Sequence, residues 1–130
     1  MRKSVLFLAI IFLSVSCKKS GFDDASVQYE FSSDVSAIYR VEYASDVDMV
    51  NTESFQGTSW SKSVIAKRNP AFSNIALARL VVYAPSTWAN TANKAHVNLK
   101  IVVNGDVKVN KDTLMTAANV DMGIFELLSF

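Results

Sequence analysis

Few residues in this chain have a type and spacing that could do chemistry, and those few lie far apart. Cys17 is the only cysteine among 130 residues. Its thiol has no intramolecular partner, so directly behind an apolar run it is a candidate acylation site and not half of a disulfide. Trp88 sits in a loop rich in Ser, Thr, Asn and Ala (residues 85–94), with Asn90 and Asn93 beside it. An indole face and two amides there could stack on and hydrogen-bond a sugar, or cover a partner's apolar patch. The competing expectation is that Trp88 folds back and caps one end of the domain. His96 is the only histidine; it has no cysteine or second histidine to complete a metal set, and it opens a strand where a surface residue is expected. Asp46, Asp48 and Asn51 could offer oxygens to calcium, but the remaining ligands and the glycine of a calcium loop are missing. Charges guarding an edge strand account for them better. Glu42 and Glu126 read as isolated strand carboxylates, no serine has the context of a nucleophile, and Gly105 stands without the other glycines of a phosphate loop. The expectation is a protein with no catalytic residues, no metal and no cofactor.

The first residues address location. Arg2 and Lys3 precede an apolar run over residues 5–15, broken only by Ser14. At roughly 1.5 Å per residue, this run is too short for a hydrocarbon core of ~30 Å, and the layout is that of a secretory signal peptide over residues 1–16. The junction Ser16-Cys17-Lys18-Lys19, with Leu13 and Ser14 before it, resembles a bacterial lipoprotein signal in which Ser14 stands where Leu is usual. The resemblance implies cleavage before Cys17, palmitate and further acyl chains on that residue, and attachment to the outer membrane of the cell envelope, periplasmic or surface-exposed. Residues 17–25 then form a polar tether. Asp23-Asp24 resembles the acidic export tag of surface-exposed lipoproteins. A plain signal peptide cleaved near Ser16 is the alternative. Losing Arg2 and Lys3 takes the 13 basic residues to 11, against 12 acidic ones. A nearly neutral chain argues against a nucleic-acid partner.

The elements that would position such residues read as strands. Val27, Tyr29 and Phe31 alternate with polar residues, Ser32-Ser33-Asp34 breaks the run, and Tyr39, Val41 and Tyr43 resume it. Residues 51–58 are polar and contain Gly57, which predicts a connection; Trp60 and Val64 mark a further strand. Asn69-Pro70 marks a turn, and residues 75–84 form an apolar core strand. Val97, Leu99, Ile101 and Val103 alternate up to Asn104-Gly105, beyond which Val107 and Val109 continue. A three-residue loop with Gly105 in a bulge would set Ile101 opposite Val107, whereas a two-residue loop would set Ile101 opposite Lys108 and mix the faces. The three-residue register is therefore expected. A helical turn or two near residues 115–119 and a last strand over residues 122–130 complete the chain. The expected core is Tyr29, Phe31, Tyr39, Val41, Trp60, Leu80, Val82, Leu99, Ile101 and Phe125.

Seven to eight short strands over residues 26–130 predict an all-β domain, an antiparallel two-sheet sandwich. The Tyr39-x-Val41-x-Tyr43 strand followed by Asp46, then Trp60-Ser61-Lys62, the strand over residues 76–84 and the Val97-to-Gly105 hairpin together resemble the MmpS-like family of small exported lipoproteins and transport accessories. That resemblance implies an immunoglobulin-like β-sandwich and a role beside envelope transporters. The expected function is that of a non-catalytic envelope module held to the membrane by lipid on Cys17. Its partner would be an envelope protein or, alternatively, a glycan held by Trp88, Asn90 and Asn93. An enzyme is a distant third.

Overall fold

The computed structural model describes residues 24–46, 49–67 and 75–130. Cys17 and the signal and tether segments before Asp24 lie outside these residues, as do Asp48 and the Asn69-Pro70 turn.

One strand organises the rest. In β1 (Ala25–Asp46), Val27, Tyr29 and Phe31 and then Tyr39, Val41 and Tyr43 are buried, while Ser26, Gln28, Ser32, Ile38 and Arg40 are exposed. This is the two-residue period of a sheet with one dry face. β2 (Met49–Ala66) pairs antiparallel with β1 from Ala25↔Ala66 to Asp46↔Met49. On its other side β1 changes partner. Residues 27–33 pair with β4 (Lys94–Val103), and residues 40–43 pair with β3 (Leu77–Tyr83). β5 (Asp106–Thr116) extends the sheet beyond β4, and β6 (Ile124–Ser129) extends it beyond β3. The order is β5-β4-β1-β3-β6, with β2 on the remaining side of β1. A 3-10 turn (Ser86–Trp88) and the single-turn helix α1 (Asn119–Met122) are the remaining regular elements among the described residues.

β1 can serve both halves because it bends. Ser32 pairs with Ser59 and Ala37 with Gly57, so four residues of β1 face one of β2. Gly57 has φ of 145°, a conformation open to glycine and costly for other residues. The bend brings the two halves of β1 face to face over the core. The rings of Phe31 and Tyr39 lie 5.0 Å apart, and those of Tyr29 and Tyr43 lie 5.8 Å apart. The antiparallel sheet thereby closes almost completely on itself, and an ion pair from Lys111 on β5 to Glu126 on β6 spans its two end strands.

Side chains take over where β1 leaves a neighbour. After Tyr43↔Leu80, the next pair in the β1–β3 ladder would be Ala44 with Arg79. Instead, the Tyr29 hydroxyl stands between them. It donates to the Ala44 carbonyl at 2.7 Å and accepts from the Arg79 N–H at 3.2 Å. Burial pushes the Tyr29 phenol up to about 12, with the Arg79 bond offsetting part of the rise. At the bend, Tyr39 donates to the Val35 carbonyl at 2.7 Å, and Asp34 accepts from the His96 backbone N–H at 2.8 Å.

Several expectations are corrected. The described residues form six strands where the spacing predicts seven to eight, because the break at Ser32-Ser33-Asp34 is the start of a bulge over residues 33–36 within one continuous strand. Residues 51–58 belong to β2 and are not a connection, since an edge strand with a wet face carries polar residues at most positions. The β4–β5 loop has two residues, Asn104 and Gly105, at φ 51° and 85°. Lys108 bulges out and so leaves Ile101 opposite Val109, while Leu99 faces Lys111, whose ammonium reaches Glu126. Phe125 is 48% exposed and not in the core. β6 pairs Leu80 with Glu126, so Glu126 takes the inner face, where Lys111 neutralises it, and Phe125 points out. Trp60 is half-buried at the sheet's rim.

Candidate functional site

The loop carrying Trp88 is built from short-range bonds. Trp88 N–H donates to the Pro85 carbonyl at 2.9 Å and Ala89 N–H to that of Ser86 at 3.2 Å. The Trp88 carbonyl accepts from both the N–H and the hydroxyl of Thr91, at 2.9 and 2.7 Å. This ties the loop down and turns the indole inward. Trp88 is 5% exposed and meets the Tyr39 ring edge-on at 6.4 Å. It fills the place over the β1 bend where β1 has left β4 and has not yet met β3. Of the two readings open in the sequence, capping is the one the geometry adopts, and no indole face is offered to a ligand. Asn90, at φ 60°, and Asn93 are both exposed on the loop's outer side. A hollow of about 370 Å³ lies nearby, lined by residues 35–38 and 85–88.

A denser cluster lies on β2. Folding at Gly57 brings Glu53 and Lys62 together on its inner face. The Glu53 carboxylate accepts from the Tyr43 hydroxyl at 2.7 Å, Lys62 Nζ at 2.8 Å and Trp60 Nε1 at 3.3 Å. Trp60 also packs on Tyr43 at 5.5 Å and stacks with Phe55 at 6.4 Å between ring centres. The Lys62 and Tyr43 bonds hold the Glu53 carboxyl below the ordinary carboxylate range. The same contact with Glu53 holds the Lys62 ammonium above its usual value. Burial, and then the Glu53 carboxylate, push the Tyr43 phenol up. A carboxylate with three donors aimed at it is a poor base, and a phenol pushed up keeps its proton. The cluster is a clamp across the rim of the core. Sequence reasoning missed it because Glu53 lay in a presumed connection; the alternation of Glu53, Phe55 and Gly57 was the available signal.

The other sequence candidates are dispersed. His96 lines a surface hollow of about 680 Å³ with Asp34, Asn98 and Asp112. There Asn98 Nδ2 donates to Asn110 at 2.7 Å and to Asp112 at 2.9 Å, so the polar groups engage one another. Among the described residues, no group of three His, Cys, Asp or Glu could hold a metal ion. Asn51 donates to Ser45 at 2.8 Å, Glu42 pairs with Arg79 at 3.5 Å, and Glu126 pairs with Lys111. No protein-family model matches the chain, and no curated protein matches it.

Two measurements check this site. Because the indole is buried, Trp88→Ala should lower unfolding stability by about 3–5 kcal/mol in urea titration; a variant of unchanged stability would mean the ring does not cap the core. The lowered Glu53 pKa makes its contribution present above the usual 4.5 and lost as pH falls through the folded value. The raised Lys62 pKa makes that group's share present below 10.5 and lost as pH rises through its folded value. The urea midpoint of wild type should therefore exceed that of Glu53→Gln at pH 7, and the gap should close toward pH 3. A gap independent of pH would contradict the clamp.

Proposed function

We propose that this chain is a bacterial envelope lipoprotein without catalytic activity, whose β domain serves as an interaction or transport-accessory module. The observation that carries the reading is β2. Its 18 residues find β1 as their only pairing partner among the described residues, which leaves a long edge of backbone donors and acceptors for another chain. An extended segment of a partner can add to such an edge by main-chain hydrogen bonds. Two features guard it against indiscriminate pairing: the kink at Gly57 and the inward-pointing charges of Glu53 and Lys62. The immunoglobulin-like sandwich and the MmpS-like resemblance belong to this proposal, supported by the antiparallel all-β architecture with one core between two halves of a folded sheet. Lipid on Cys17 is supported by the apolar run and the lone thiol behind it. Three acyl chains would hold the domain to the outer membrane without a spanning segment. The protein-partner reading is preferred to the glycan reading because the buried Trp88 leaves Asn90 and Asn93 without a stacking platform.

Radiolabelled palmitate should be incorporated into the wild-type chain in cells and not into Cys17→Ser, and only the wild type should float with membranes. Photo-crosslinking side chains placed at the exposed positions Ser54 and Ser63 of β2 should trap one dominant protein. Retention of the protein on a glycan array with no crosslinked protein would overturn the interaction reading.

A further inference from the structure

The end of the domain at which β1 starts is also the end at which the chain comes nearest to Cys17, and among the described residues it exposes six large apolar side chains. Cys17 and Ala25 are eight residues apart, so whatever their conformation they lie no more than ~29 Å from each other. Ala25 pairs with Ala66 at the close of β2, and Ser26 exchanges bonds of 2.8 and 2.9 Å with Asn104 in the β4–β5 turn. Because Tyr29 reaches Ala44 and Arg79, the far end of β1, the start of β2 and the start of β3 lie at this same end. The exposed apolar residues here are Met49, Val50, Ile65, Ile75, Val107 and Leu127, each 41–58% exposed and each within two residues of a strand terminus. Among the described residues, the opposite end exposes four large apolar side chains, Ile38, Leu114, Met122 and Phe125. Apolar residues gathered on one end of a domain mark a contact surface.

We infer that this end rests on the bilayer that holds the acylated Cys17, with the six apolar side chains seated at the headgroup boundary. The inference rests on the lipid-anchor reading above. The bilayer is the occupant because a tether of this length keeps it within reach of this end in every copy, at an effective concentration no soluble partner matches. Among the described residues, the exposed charges at this end are Lys67 and Lys108 against Asp24 and Asp106. The contact is therefore apolar and needs no acidic lipid.

The test uses the full-length chain, purified from bacterial membranes in its acylated form and reconstituted into phosphatidylcholine vesicles. Single cysteines are introduced as Met49→Cys, Ile65→Cys and Val107→Cys, with Met122→Cys at the far end as reference, and each is labelled with a nitroxide; the Cys17 sulfur, blocked as a thioether, does not react. Labels at 49, 65 and 107 should show several-fold higher collision with oxygen relative to an aqueous nickel complex than the label at 122, unchanged by salt or by added phosphatidylglycerol. Flotation of the protein with all four labels equally water-exposed, or lipid contact only when phosphatidylglycerol is present, would overturn the inference and leave the anchor intact. Failure of the protein to float at all would overturn both.

Discussion

The fold depends on a single strand facing itself across the core, and the Tyr29 hydroxyl is what makes that arrangement close. At the point where Ala44 and Arg79 would continue the β1–β3 ladder, backbone pairing stops, and a buried carbonyl and a part-buried N–H would be left unsatisfied. An orphaned buried amide or carbonyl costs about 1–3 kcal/mol. Tyr29, fifteen residues upstream of Ala44 and on the other half of the sheet, supplies one hydroxyl that serves both groups. The same atom thus ends one ladder and ties the two halves of β1 together. Its ring rests on Tyr43, and the aromatic series continues through Phe31, Tyr39 and Phe55 to Trp60 and Trp88. The order of the core follows the path of β1.

This arrangement decides what the domain can offer. The aromatic and titratable side chains that might have carried chemistry are committed to closing the body: Trp88 over the bend, Glu53 and Lys62 along the rim, Glu126 and Lys111 between the end strands. Exposed instead are strand edges, a polar outer face and one apolar end. Those features are the ones on which the proposed contacts with another chain and with a membrane surface rest. The unpaired edge of β2 meets the apolar end near Ala25 at its two termini, where Met49, Val50 and Ile65 lie, and runs away from it between them. A domain resting on one could present the other.

The parts of the structure that were legible in the sequence are those set by local alternation. Val27, Tyr29, Phe31, Tyr39, Val41 and Tyr43 of β1 and Val97, Leu99, Ile101 and Val103 of β4 announce a buried face, and all are buried. Asn104-Gly105 announces a turn, and both residues take positive φ. Legibility fails where the structure rests on pairing between distant residues. The bulge at Lys108, which rescues the two-residue loop, has no local signal. Ser32-Ser33-Asp34 breaks the pattern as well as a loop would, and only the pairing with β2 shows that the strand continues. For β6, either face of Ile124–Ser129 could be buried on composition alone. Lys111, thirteen or more residues away and on another strand, decides in favour of the face carrying Glu126. The Glu53 clamp joins residues on either side of a kink in a strand that reads as polar. For Trp88, sequence permits both exposure and burial, and Tyr39 beneath it decides.

The most direct test of this account is amide hydrogen exchange of Arg79 in wild type and Tyr29→Phe, read together with urea unfolding. The Tyr29→Phe change keeps the ring and removes only the hydroxyl. The account predicts that the Arg79 amide moves from slow to fast exchange while core amides of β4 stay protected, and that stability falls by about 1–3 kcal/mol. An Arg79 amide as protected as before, at unchanged stability, would show that the two halves of β1 are held together by something other than this hydroxyl.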